Sequence, residues 1–177
     1  IDPQANATSC LGLRRDDIAV SMYDVLINGA SSESAIRLSG LLRLDVLPSS
    51  PALAGAEVEL VEAARREYLL RDALAPLNER YDYILVDSPP SLGLLTVNAL
   101  TAARDGVIIP VQCEYLALEG LTQLLQTVEM VRSKLNPALQ VRGVIMTMYD
   151  GRTRLSQQVV DEVRKYFGTR VFATVIP

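Results

Sequence analysis

The amino-acid sequence predicts an α/β fold: a mostly parallel, twisted sheet with helices on both faces. Three observations carry the prediction. Apolar runs of strand length recur along the chain: Ile84, Leu85 and Val86, then GVIIPV from Gly106 to Val111, then Leu139 to Met148. Between and after them, apolar residues fall at helical spacing, as at Leu118, Leu121, Leu125 and Val128. Strand and helix patterns alternate without an internal repeat or low-complexity segment, and such alternation places parallel strands beneath crossover helices.

The elements follow in order. Met22 to Ile27 is a short amphipathic segment, ended by the turn dipeptide Asn28-Gly29. Within Ile36 to Leu47, the stretch LLRLDVLP predicts a short strand that Pro48 terminates. Ser49 to Gly55 is expected as a loop. Glu57 to Arg80 is expected as one long helix, with Val58, Val61, Leu69, Ala73 and Leu77 on its inner face and Pro76 near its end. Ile84 to Val86 reads as a strand buried on both faces, because it is apolar without alternation. Pro89 and Pro90 stiffen the turn after it, and Ser91 is placed to cap a helix beginning near Leu92. Gly106 to Val111 is expected as a second buried strand. The stripe at Leu118 to Val128 reads as core packing. A further strand is expected over Leu139 to Met148, then a helix with Leu155, Val159, Val163 and Phe167 inward, then a last strand over Val171 to Ile176 before Pro177.

Composition narrows the chemistry. The 177 residues suit one domain, and 49% apolar content is ample for a core. No apolar run approaches the roughly 20 residues of a membrane-spanning helix, and no signal-peptide pattern opens the chain, so a soluble, intracellular protein is expected. Histidine is absent, which excludes histidine triads, bases and metal ligands within these residues. Cys10 and Cys113 are too few and too far apart for a zinc or iron–sulfur ligand cluster. A net charge of −4 confines any nucleic-acid contact to a local patch.

Asp87 stands directly after the apolar run and before a Ser-Pro-Pro turn. Open α/β sheets bind ligands outside the carboxyl ends of their strands, which is where this carboxylate is expected. An aspartate there also serves simply to start a turn. Apolar residues followed by Asp at a strand end form the pattern of a Walker B segment, whose Asp holds magnesium in P-loop NTPases.

Three stretches, ILVDSPPSLGLLTVNAL, IPVQCEYLALEGLTQLL and MTMYDGRTRLSQQVVDEVRKYFG, closely resemble the chromosome-partitioning ATPases called ParA or Soj. The likeness runs through essentially the whole chain in the same order. It implies a P-loop NTPase-like, three-layer αβα architecture. The opening IDPQANATSCLGL resembles a family segment in which a strand ends at Asp-hydrophobic-Asp-Pro-Gln-Gly-Asn: Asp2, Pro3, Gln4 and Asn6 match it. Ala5 replaces the glycine, which matters only if the backbone there has a positive φ. The family's glycine-rich phosphate loop with its two lysines has no counterpart here, where the only lysines are Lys134 and Lys165. Residues 1–177 are therefore expected to be one partial nucleotide-binding domain, truncated at both ends, with no ATP turnover of its own.

The resemblance further implies ATP and Mg2+ as cofactors of the intact ATPase. By it, Asp87 holds magnesium through water, and Asp2 orients the attacking water near the γ-phosphate. Pro3, Gln4 and Asn6 accompany Asp2 around the nucleotide. Met148, Tyr149 and Pro177 are candidates for the adenine, with packing and strand termination an equal alternative. Arg152 and Arg154 are candidates for DNA phosphate contacts. The implied partners are a second copy in an ATP-dependent homodimer, DNA of the nucleoid bound without sequence preference, and a ParB-like protein that stimulates hydrolysis. The implied location is cytoplasmic and nucleoid-associated, with no membrane partner expected. Two alternatives stand beside this reading: a membrane-associated positioning ATPase resembling MinD, and a non-catalytic adaptor that has lost its phosphate loop.

Overall fold

The computed structural model describes every residue except Tyr115 and Leu116, which lie within the IPVQCEYLALEG stretch; of Arg15 it describes the backbone alone. The chain forms two compact units, Ile1–Ala102 and Ala103–Pro177.

The first unit is mainly helical. Its helices are α1 (Asn6–Cys10), α2 (Met22–Ile27), α3 (Ser32–Ala35), α4 (Leu53–Glu59), α5 (Leu69–Leu74) and α6 (Leu94–Ala102), and its strands are β1 (Arg37–Leu38) and β2 (Asp45–Val46). Helix α2 lies where the sequence predicts. The Asp24 carboxylate accepts both the N–H and the hydroxyl of Ser21, at 2.9 and 3.0 Å, which fixes its first turn. Its other end closes at Gly29, whose φ of 68° is one that glycine takes without strain. The apolar sides of α2, α4, α5 and α6 meet in one core through Met22, Val25, Leu53, Leu60, Leu70 and Leu95. Four of these leucines are at most 1% exposed, and burying each contributes about 1.5–3 kcal/mol.

Four expectations are corrected in this unit. The segment expected as a loop over residues 49–55 already enters α4 at Leu53. The long helix expected over residues 57–80 is broken: α4 tightens into a 3₁₀ turn at Leu60–Glu62, the chain turns extended at Ala63, and Arg65 takes a left-handed φ of 55°. A new helix, α5, then starts and tightens into a second 3₁₀ turn at Ala75–Leu77, which contains Pro76. The expected strand in LLRLDVLP is reduced to β2, which pairs antiparallel with β1 in the register Arg37↔Val46 and Leu38↔Asp45. Finally, residues 84–86 form no ladder with any described strand. Tyr83 and Leu85 are 85% and 88% exposed, and only Val86 packs against the core. An apolar run becomes a buried strand only when neighbours take up its backbone groups, and no described strand does so here.

The second unit holds a parallel sheet in the order β3–β4–β5, with β3 at Val107–Gln112, β4 at Val141–Thr147 and β5 at Val171–Val175. Ile109 pairs with Val144 and Val111 with Met146; Val144 and Met146 in turn pair with Val171 and Val175. Helices α7 (Ala117–Lys134) and α8 (Arg154–Phe167) pack on this sheet through Leu121, Val159, Val160, Val163 and Phe167. All five elements fall where the sequence places them. One detail differs: β3 alternates, with Ile109 and Val111 buried but Ile108 52% exposed, so within its unit it is half-buried.

Candidate functional site

Asp2 is buried, and its placement is set by short-range bonds. One carboxylate oxygen accepts the Gln4 N–H at 3.0 Å, closing a tight turn, and the Asp2 carbonyl accepts the Ala5 N–H at 3.0 Å. Ala5 then takes φ 57°, ψ 33° as it enters α1, so the position where the resembled pattern has glycine does use the left-handed region. Ser49 secures the turn from across the unit: its hydroxyl donates to the Asp2 carbonyl at 2.6 Å, and its N–H donates to the Thr8 hydroxyl at 2.9 Å. Pro3 is half-buried, while Gln4 and Asn6 are exposed and joined by a 3.4 Å amide contact. Sequence reasoning missed Ser49 and Thr8, because they are far apart in the chain and neither lies in a local pattern.

Asp87 meets the same place. Its carbonyl accepts the Ile1 nitrogen at 2.7 Å, and its side chain is exposed. This backbone contact brings Asp87 beside the Asp2 turn, although residues 2 and 87 are far apart in the sequence.

The loop after Asp87 is fixed by α6. The Thr96 hydroxyl donates to the Ser91 carbonyl at 2.5 Å and to the Pro89 carbonyl at 3.4 Å. Helix α6 starts at Leu94, two residues later than expected, and Ser91 contributes this carbonyl contact rather than the cap assigned to it. A Cβ at Gly93 would meet the end of the Glu57 side chain, which would have to shift to make room for it.

Met148, Tyr149 and Pro177 belong to the second unit, where the ends of β4 and β5 draw them together. The Tyr149 N–H donates to the Ile176 carbonyl at 3.1 Å, and the Ile176 N–H to the Met146 carbonyl at 2.9 Å. Met148 is exposed and has φ 54°, a strained value for a non-glycine residue. The Tyr149 hydroxyl donates to Gln157 at 2.9 Å.

Arg152 grips Asp150 with two guanidinium nitrogens, at 2.9 and 2.8 Å. Each shifts the other: Arg152 lowers the Asp150 carboxyl below its ordinary range, and Asp150 raises the guanidinium. Arg154 is exposed at the first position of α8, whose start is capped by the Thr153 hydroxyl accepting the Ser156 N–H at 3.3 Å.

Among the described residues, no three Asp, Glu, Cys or His side chains converge as a ready metal cage. A single exposed carboxylate such as Asp87 suits magnesium, which usually keeps several waters and takes one or two carboxylates plus phosphate oxygens.

Comparison with known proteins places this architecture. The family model described as "AAA domain" matches residues 1–141. The chain is 53% identical to the sporulation initiation inhibitor protein Soj of Bacillus subtilis, covering all of this chain and 70% of that protein. It is 51% identical to the chromosome partitioning protein ParA of Myxococcus xanthus, covering all of this chain and 62% of that one. The chain thus spans about two thirds of the length of these relatives. Among solved structures, it resembles cobyrinic acid a,c-diamide synthase from Mycobacterium smegmatis with bound ADP and magnesium. There the TM-score is 0.91 at 41% identity, over 99% of this chain and 71% of that one. It also resembles a plasmid partition protein from Borrelia burgdorferi, with TM-score 0.79 and 29% identity over 97% and 72%.

Parallel sheet, packed helices and these structural neighbours define an α/β protein of the P-loop NTPase-like class. More particularly, the chain belongs to the ParA/Soj family of chromosome-partitioning ATPases.

Proposed function

We propose that residues 1–177 carry the acidic half of a magnesium–ATP site in a DNA-partitioning ATPase. The observation that supports this most directly is that the backbone contact from the Ile1 nitrogen to the Asp87 carbonyl seats Asp87 next to Asp2. In this reading Asp87 holds magnesium through a water. Bound magnesium would neutralise charge on the β- and γ-phosphate oxygens. Asp2 has one carboxylate oxygen committed to Gln4 and the other left to orient the attacking water. The lysine-bearing phosphate loop is supplied from outside these residues, which make up a partial nucleotide-binding domain. Met148, Tyr149 and Pro177 receive the adenine.

ATP binding closes two copies into a dimer that holds nucleoid DNA through Arg152 and Arg154. A ParB-like partner triggers hydrolysis and release, giving a cytoplasmic, nucleoid-associated switch. Support comes from the Myxococcus xanthus relative, which is named a chromosome partitioning protein, and from the exposure of both arginines.

The test is magnesium-dependent phosphate release by the full-length protein. Asp87→Ala is expected to abolish it. Asp2→Ala should leave ATP binding intact and lower turnover by about 100-fold. Undiminished hydrolysis in both variants would overturn the proposal.

A further inference from the structure

The hairpin of β1 and β2 carries an apolar tip that the nucleotide reading does not use. Leu38, Leu41, Leu42 and Leu44 are 80%, 60%, 92% and 38% exposed, and they cluster within seven residues. Single exposed leucines are ordinary; four on one short protrusion form a patch. The same segment holds Arg37 and Arg43 and no acidic residue. Among the described residues, neither arginine lies within ion-pair distance of a carboxylate. Arg37 instead donates to the Ser34 and Ile36 carbonyls, both at 2.9 Å. The adjoining carboxylate, Asp45, is half-buried and accepts the Tyr81 hydroxyl at 2.6 Å.

The turn also satisfies backbone groups internally. The Ser39 hydroxyl donates to the Leu44 carbonyl at 2.6 Å and lies 3.3 Å from that of Leu41. The Leu41 N–H donates to the Ser39 hydroxyl oxygen at 3.1 Å, and the Ser39 N–H to the Leu44 carbonyl at 3.3 Å. Internal bonding of this kind reduces the cost of moving a turn out of water.

From this combination we infer that the 37–44 hairpin is a docking tip for an anionic lipid surface, with Leu41 and Leu42 entering the interface and Arg37 and Arg43 at headgroup level. Charge complementarity selects the occupant: guanidinium groups with no carboxylate beside them among the described residues flank the leucines, and anionic headgroups attract such groups. A protruding tip, rather than a groove, suits a surface that deforms around it. The contact is read from where the hairpin displays its leucines. It does not depend on nucleotide.

The test is co-sedimentation of the full-length protein, without ATP, with vesicles of phosphatidylcholine and phosphatidylglycerol in equal parts, against phosphatidylcholine alone. Binding to the anionic vesicles alone is expected, weakening at high salt. Leu41→Ser with Leu42→Ser should reduce it about tenfold or more, since each leucine gives up an apolar burial. Arg43→Glu should also weaken it. Circular dichroism should be unchanged, because all three side chains are exposed. No sedimentation with anionic vesicles, or equal sedimentation of the double-serine variant, would overturn the inference. So would self-association of the wild type in light scattering that the double variant abolishes, because the tip would then serve a second copy.

Discussion

The side-chain carbonyl of Asn98 accepts the backbone N–H of Leu70 at 3.1 Å, joining helix α6 to the first turn of α5. The amide nitrogen of the same residue donates to the Arg66 carbonyl at 2.7 Å and to the Leu94 carbonyl at 3.0 Å. Asn98 is fully buried, so no water can replace these bonds. Asn98→Ala should cost about 2–4 kcal/mol, through the unpaired Leu70 N–H and Arg66 carbonyl, read as a lowered urea midpoint. A loss under about 1 kcal/mol would show that the α5–α6 junction is held by apolar packing instead.

At Ala5 two substitutions separate strain from packing. Left-handed backbone costs a residue with a Cβ about 1–2 kcal/mol. Glycine relieves that cost but gives up a buried methyl worth about 0.8 kcal/mol and adds about 0.5–1 kcal/mol of unfolded-state entropy. Ala5→Gly should therefore leave stability within about 0.5 kcal/mol of the parent. Ala5→Val, with a branched side chain in the same buried, left-handed position, should cost about 2 kcal/mol or more. Thermal melts of the pair decide it; tolerance of valine would refute the backbone assignment.

Asp24 gives a pH signature. Its carboxyl is held below the ordinary range, first by the Ser21 N–H and then by Asn28 and the Ser21 hydroxyl. Because the folded value is depressed, the stabilisation is fully present above the ordinary carboxylate range. It disappears as pH falls through the folded value. Asp24→Ala should cost about 1 kcal/mol near neutrality, and that cost should shrink as pH falls through the folded carboxyl's titration. A difference between the two proteins that stayed constant with pH would assign the effect to packing.

The Asp150–Arg152 pair sets up a competition with nucleic acid. Phosphate must draw the guanidinium away from a carboxylate that already holds it through two bonds. On the proposed DNA interface, Asp150→Asn should tighten binding several-fold and steepen its salt dependence by about one ion. Arg152→Ala should weaken binding evenly across sequences. If the double variant binds as tightly as Asp150→Asn, net charge rather than Arg152 is responsible.

Gly106 precedes β3 with φ 118°, and a Cβ there would meet the Gln140 carbonyl, which also accepts the Val107 N–H at 2.9 Å. Backbone cannot step aside as a flexible side chain can. Gly106→Ala should cost about 2–4 kcal/mol, seen in denaturant melts of the full chain.

What the sequence made legible was decided by local signals. Strands β3 to β5 and helix α8 were visible because period and turn residues agree, as in the Val159, Val163 and Phe167 stripe ending at Gly168. The break between α4 and α5 was not, since it depends on Arg65 adopting a left-handed backbone and on Asn98 arriving from a distant helix. Residues 84–86 have the composition of an inner strand, yet strand formation needs backbone partners that composition does not reveal. Asp87 was legible from its place between an apolar run and a Ser-Pro-Pro turn, and Asp2 only through the resemblance to known partitioning ATPases; the Ser49 bond that seats Asp2 had no signal at all.

The stretch at residues 83–86, which joins no ladder among the described residues, has a practical consequence. Backbone outside any ladder, with exposed Tyr83 and Leu85 side chains, offers N–H and C=O groups on which another chain can form one. At high concentration, residues 1–177 handled by themselves should build cross-strand aggregates that seed from this edge, and a charged substitution at Leu85 should delay their onset.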